Sequence, residues 1–297
     1  MNDLKPSSTK QRPGIALVRP KLHDDTQENR DLFKRWARLH MRDTVSIPKD
    51  ETLGRASKSL RYIRATEDGG EEYLFTIVLD DVRLPGTKRF QTVPQRLDLE
   101  NTRALDGGEE PVLRESDPRV GTEPMVFRIV SPSVGIFEAV ADKDHAKHTH
   151  KSYQHEITEL MMKANPSTYT LVTVTMTITQ ATPTPGLRIE RFRDSLAQML
   201  TGTTQQLVHA TLYCHAPDAQ PDMLPKISEG EDGRGQWLIC ALVSSDRDSG
   251  DTDHYEDEIR GGMLESIEKW RRRLQEEGAL KEVDLKVGVW KGDIFMS

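Results

Sequence analysis

Trp36 and His40 stand four residues apart in a stretch where Leu32, Phe33, Trp36, Leu39 and His40 recur at three- and four-residue steps. That spacing is one face of an amphipathic helix, expected over residues 24–43, with His40 on the border of the apolar stripe near the helix end. An imidazole so placed can point past a core into a cavity, where it can take a proton from an enolisable ligand or return one. The same side chain can equally be a border histidine that only packs. Tyr62 and Arg64 share one face of an alternating segment, with Arg61 and Ile63 on the other. Tyr62 could donate to a carbonyl or enolate oxygen and Arg64 could pair with a carboxylate, although ordinary surface pairs would give the same pattern. Tyr73, expected opposite in a hairpin, is open to the same two readings. Thr173, Thr175 and Thr177 form a hydroxyl row opposite the apolar row Val172, Val174, Met176 and Ile178. If the apolar row packs on helices, the threonines face a cavity and can hold a ligand or a water; threonine is also simply a good strand former. His209, Thr211 and Tyr213 share a face by the same spacing, so His209 is a second proton-transfer candidate and Tyr213 a further ligand contact.

Other groupings argue for less. His145, His148, His150 and His155 cluster with Asp142 and Asp144, residue types that ligate zinc. Their spacing fits no closed ligand set, the segment reads as a polar linker, and no metal is expected. The pair Trp290 and Phe295 is expected to close a core rather than stack a substrate. There is no glycine-rich phosphate loop, no nucleophile elbow and no His-Glu-x-x-His helix, which argues against nucleotide enzymes, serine hydrolases and zinc peptidases.

The elements that must position these residues can be read in order. The run Gly14 to Val18, ended by Pro20, predicts a strand before the Trp36 helix. Segments 60–64 and 73–79, joined across Glu67-Asp68-Gly69-Gly70, predict a hairpin. Residues 81–121 are polar and punctuated by proline and glycine, with at most one helix. Residues 126–140 predict one bulged strand or two short ones. After a linker at 142–167 a second cycle follows: strand 171–178, helix 187–200, strands 207–214 and 237–243, helix 255–277 and strand 283–290. The order is β-α-β-β-α-β twice, the split βαβ or ferredoxin-like unit. The expected division is a disordered start at 1–12, a first half at 13–141, the linker, and a second half at 168–297. Each such sheet has one face bare of helices, which a partner must bury. The expected fold is therefore α+β: tandem ferredoxin-like repeats forming an intramolecular, pseudo-dimeric α/β-barrel, with a chamber between the two bare faces.

Composition bounds the partners. The 297 residues carry a formal charge of −7, with 35% hydrophobic and 30% charged residues. An acidic chain lacks the field that draws nucleic acid or anionic lipid, and the run Arg271, Arg272, Arg273 reads as one exposed helix face. No apolar run approaches a membrane span of roughly 20 residues, and the polar start shows no secretory signal. Cys214 and Cys240 read as a reduced pair. A cytoplasmic location is expected.

The helix segment with Phe33, Trp36 and His40, the strand Pro13 to Val18 before it, the strand Leu60 to Thr66 after it, and the return through Tyr73 to Val78 resemble EthD-like proteins of the dimeric α/β-barrel superfamily, in the fungal form with two halves in one chain. The likeness covers roughly the first 80 residues, and the rest by element order alone. It implies an enzyme of polyketide- or terpenoid-like secondary metabolism without metal or organic cofactor. The reaction would be a lyase or isomerase step, namely cyclisation, dehydration or decarboxylation, on a hydrophobic oxygenated small molecule. The resemblance bears on His40 as a catalytic residue, and the strand-face spacing adds Tyr62 and His209 as catalytic candidates. Trp36, Arg64, Tyr73, Tyr213 and the threonine row would contact the substrate. A catalytically inactive binding or scaffold protein is the alternative. The second half departs from the pattern: aligning Phe192 with Phe33 sets Ser195 at the Trp36 position and Met199 at the His40 position. The chain would act as a monomer or homodimer.

Overall fold

Thr26 starts the first helix. Its hydroxyl accepts the Asn29 amide at 3.2 Å, answering one of the amides that every helix start leaves open. Helix α1 then runs over Gln27–Val45, burying Phe33, Trp36, Ala37 and Met41. The computed structural model describes residues 10–65, 70–99, 103–105, 109–140, 169–179, 189–204, 208–221, 236–244 and 252–292. Within these the order is β1 (Gly14–Leu22), α1, β2 (Ala56–Ala65), β3 (Glu71–Leu79), α2 (Lys88–Arg96), β4 (Val130–Ala139), β5 (Tyr169–Ile178), α3 (Ile189–Thr204), β6 (Val208–His215), β7 (Gln236–Ser244), α4 (Thr252–Glu276) and β8 (Val283–Gly292).

Pro20 does not end the first strand as expected. Beyond Val18, β1 has left β3 and pairs only with β4, where Pro20 faces Pro132. An edge position tolerates a residue without an N–H, so β1 continues to Leu22. The segment after α2 also resolves differently from its apolar run: Met125–Arg128 is a short 3-10 turn, and one strand begins at Val130.

The eight strands close into one antiparallel barrel in the order β1-β3-β2-β8-β5-β7-β6-β4. Each half has the strand order of the split βαβ unit, β4-β1-β3-β2 and β8-β5-β7-β6, so the chain is a tandem pair forming an intramolecular α/β-barrel. Two seams join the halves. One pairs Tyr62 with Gly292 and Ile63 with Lys291; the other pairs Phe137 with His215 through to Ala139 with Tyr213.

Strand alternation gives the barrel two surfaces. Outside, Val172, Val174, Met176, Ile239 and Ala241 pack against α3 and α4. In the first half, Tyr73 and Phe75 pack against Phe33 and Trp36 of α1. Inside, Ile15, Leu17, Leu60, Tyr62, Leu74, Val78, Phe137, Leu171, Tyr213, Leu238, Cys240, Leu242 and Trp290 form one cluster. Here the expectation of a chamber between two bare faces is corrected: the interior is a packed core. Eight strands leave a lumen just wide enough for side chains to fill, and these residues are large. Trp290 fits because Gly288 lies beneath its ring; a Cβ there would sit 2.5 Å from the indole nitrogen.

Candidate functional site

Among the described residues, a mainly apolar cavity lies on the other side of the barrel wall. About 410 Å³ of space lies between α1, α2, the segment 121–127 and the outer face of β1, β3 and β4. Ala16, Val18, Phe75, Ile77, Val134 and Ile136 form its floor; Trp36, Ala37, His40 and Met41 form one wall, and Phe90, Pro94 and Gln95 the other. Its lining is mainly apolar, as expected of a small-molecule site.

The space exists because α2 is short. It spans nine residues and contains Pro94, so it cannot cover the sheet as its counterpart does. In the second half, α4 is 25 residues long. Its Met263, Ile267, Trp270 and Leu274 close over the sheet together with Phe192, Leu196 and Leu200 of α3. Trp270 is buried there and donates its indole N–H to Ser195 Oγ at 2.9 Å. Ser195 stands where alignment of the two halves sets it opposite Trp36. One half is plugged by a tryptophan; the other is open.

Polar groups on the residues that line the cavity are few, and three of their atoms are unanswered. The His40 ring stacks on Trp36, with centroids 4.6 Å apart and planes at 25°. His40 Nδ1, Trp36 Nε1 and Gln95 Oε1 are sealed from solvent and have no hydrogen-bond partner. The Gln95 amide nitrogen, by contrast, donates to the Thr122 carbonyl at 2.8 Å. Native proteins rarely leave such atoms orphaned, and all three belong to residues that line one apolar cavity. Burial, and then the nearby positive charge of Arg96, lowers the His40 pKa to about 3. The imidazole is therefore neutral through the physiological range. Arg96 is held in place by α1 itself: its Nε donates to Asp43 Oδ2 at 2.7 Å. Asp43 is fully buried, and burial raises its pKa against the opposing pull of Arg96. A buried pair of this kind fixes the approach of α2 to α1 at the end of the cavity where His40 sits.

Chemically, the arrangement offers an apolar chamber, a neutral imidazole, an indole donor and an amide acceptor. A base whose conjugate acid is this strong cannot hold a proton by itself. It can take one when the ligand becomes an oxyanion beside it, because opposite charges attract strongly in a dry site.

The residues singled out from sequence divide between the two sides of the wall. Trp36 and His40 come together in the cavity. Tyr62, Thr173, Thr175, Thr177, His209 and Tyr213 lie on the inner face of the barrel, away from it; burial pushes the Tyr62 and Tyr213 phenols up. Thr173 accepts the Trp290 indole N–H at 2.9 Å. Arg64, on the inner face at the end of β2, bonds Glu72 Oε2 through Nε at 2.9 Å and lies over Trp290. Tyr73 is on the outer face, edge-on to Phe33 at 5.0 Å, with its hydroxyl donating to Glu71 at 2.6 Å. It is beside the cavity but does not line it. The histidine cluster at 145–155 lies outside the described residues; among the described residues no group of three or more His, Cys, Asp or Glu is placed to hold a metal. Phe90, Gln95 and Ile136 were missed as site residues. The available signal was the pair Thr87 and Phe90: a capping hydroxyl, which accepts the Phe90 amide at 3.4 Å, ahead of an apolar step to Val93. Among the described residues no helix is long and apolar enough to cross a membrane.

No family model and no curated protein matches the chain. Among solved structures it is similar to a chlorite dismutase-like protein, at 9% identity over 95% of each chain with a TM-score of 0.44. It is also similar to an aldoxime dehydratase solved with butyraldoxime, at 11% identity over 95% of this chain and 80% of the other with a TM-score of 0.23. Likeness at this level carries no argument about activity.

Proposed function

We propose that this chain is an enzyme of EthD-like type that carries out a lyase or isomerase step on a hydrophobic, oxygenated small molecule of secondary metabolism, bound between α1, α2 and the barrel wall. The observation that carries this reading is the neutral imidazole of His40, its Nδ1 without a partner, stacked on Trp36 at a mainly apolar cavity of about 410 Å³. His40 accepts a proton from carbon or oxygen of the ligand as an enolate or alkoxide forms. Trp36 Nε1 supplies a donor to oxygen, and the packed aromatic walls fix the ligand's conformation. The reading needs no group from the barrel interior.

A second reading, a binding protein without catalysis, is favoured by the same low basicity of His40. The probe 2-tetralone, an enolisable aromatic ketone, separates the two when its α-hydrogen exchange in D₂O is followed by NMR. Saturable acceleration is expected, with a loss of about 10²-fold or more in His40→Ala and of binding in Ile136→Trp, which fills the floor. The rate should be flat from neutral pH down to about 4.5, because the base stays unprotonated there. Binding without acceleration supports the second reading. Exchange that is equally fast in His40→Ala removes His40 from the chemistry.

A further inference from the structure

The two faces of β1 serve different ends. Ala16, Val18 and Pro20 line the cavity already described, while Ile15 and Leu17 point into the barrel core. Arg19 continues the inner row, so its guanidinium lies at one end of the barrel. There it meets the inner-face Arg64 of β2 over a common platform: Arg64 Cζ is 4.7 Å and Arg19 Cζ 6.0 Å from the centroid of the Trp290 ring. That platform is rigid. Trp290 is tied to Thr173 through its indole N–H and seated over Gly288.

The two arginines are not equally served. Arg64 is bonded to Glu72. The Arg19 side chain donates no hydrogen bond and forms no ion pair among the described residues, and its Nε is buried without an acceptor. Glu72 contributes an attraction at longer range, while Arg64 repels. Among the described residues, two guanidinium groups against one carboxylate leave a surplus positive charge at a partly desolvated place. A cation–π contact uses the face of the indole rather than the guanidinium's hydrogen-bonding capacity, so N–H groups of Arg19 remain for a third party. The planar fork of arginine matches the two oxygens of a carboxylate or phosphate.

We propose that this end of the barrel is an oxyanion site, in which Arg19 takes a carboxylate or phosphate group on its free N–H edge and Arg64 flanks it over Trp290. The site stands on the opposite face of β1 from the α1–α2 cavity and does not depend on the activity proposed for that cavity.

Thermal unfolding of the full chain in sodium phosphate and, separately, sodium acetate tests this, at ionic strength held constant with sodium chloride. A saturable rise in Tm is expected with at least one of the two anions. It should reach about 4 °C at a hundredfold excess over half-saturation for a chain of this size, and a Trp290→Phe variant should lose the accompanying change in tryptophan fluorescence. A response to acetate alone identifies a carboxylate ligand, and a response to phosphate alone a phosphate. Arg19→Met should abolish the rise, whereas Lys88→Met, on α2, should retain it. Should Arg19→Met not fold, Arg19→Lys keeps the charge but not the fork, and its half-saturating concentration should increase about tenfold. No saturable shift with either anion overturns the proposal, as does a shift unchanged in the Arg19 variants.

Discussion

A neutral imidazole in an apolar wall makes stability depend on pH in one direction. The His40 pKa is about 3 in the folded chain against an ordinary 6.5. Between those values the unfolded chain binds a proton that the folded chain does not, so stability falls as pH drops through this window. The slope approaches ~1.4 kcal/mol per pH unit. Urea unfolding of wild type and His40→Leu should show it: the variant cannot titrate, so wild type should lose ground to it steadily from pH 6 to pH 4.5. A difference that stays constant across this range would mean that the ring is solvated or paired when folded. Trp36, stacked on that ring, couples the packing of α1 to its chemistry, and neither residue needs the other side of the barrel wall.

At the scale of elements, the two halves differ in one helix. The nine residues of α2 leave a cavity, while the 25 of α4 close the corresponding place. Tryptophans at comparable depth should therefore have unequal worth. Trp270→Ala empties a packed region and should cost about 3–5 kcal/mol, with the cavity left behind adding to the lost burial. Trp36→Ala enlarges a space that is already open, forfeits fewer contacts, and should cost at least ~1 kcal/mol less. Chemical denaturation of both variants checks the contrast, and equal losses would contradict the division into a plugged and an open half. The Asp43–Arg96 pair belongs to this scale too. Removing one partner strands a buried charge, so Asp43→Asn should destabilise by about 3 kcal/mol and loosen α2 from α1.

For the whole molecule, closure of the barrel merges the halves. Residues from both, such as Tyr62 and Leu17 from the first and Tyr213 and Trp290 from the second, share a single interior cluster. Neither half can bury its inner face without the other. Calorimetry of the full chain should show one transition, with van't Hoff and calorimetric enthalpies in agreement; two resolved transitions would show that the halves fold independently. Residues 10–141 produced alone should expose that face and aggregate.

The element order, the twofold repetition and the alternation along β5 were legible in the sequence, because hydrophobic periodicity is a local consequence of helix and strand geometry. So was the pairing of Trp36 with His40 on one helix face, since a four-residue step alone sets it. Which side of each sheet would be hollow was not legible. Tyr62, Thr173 and His209 lie on the bare face as their spacing says, yet that face is packed, because the fit of large side chains into a closed eight-stranded lumen depends on all eight strands at once. The cavity's far wall likewise rests on the length of α2 and on where Phe90 and Gln95 come to lie against Ile136, residues about 40 or more positions apart along the chain. Local pattern set the surfaces that each element offers; only the tertiary arrangement decided which two surfaces failed to meet, and there the candidate chemistry sits.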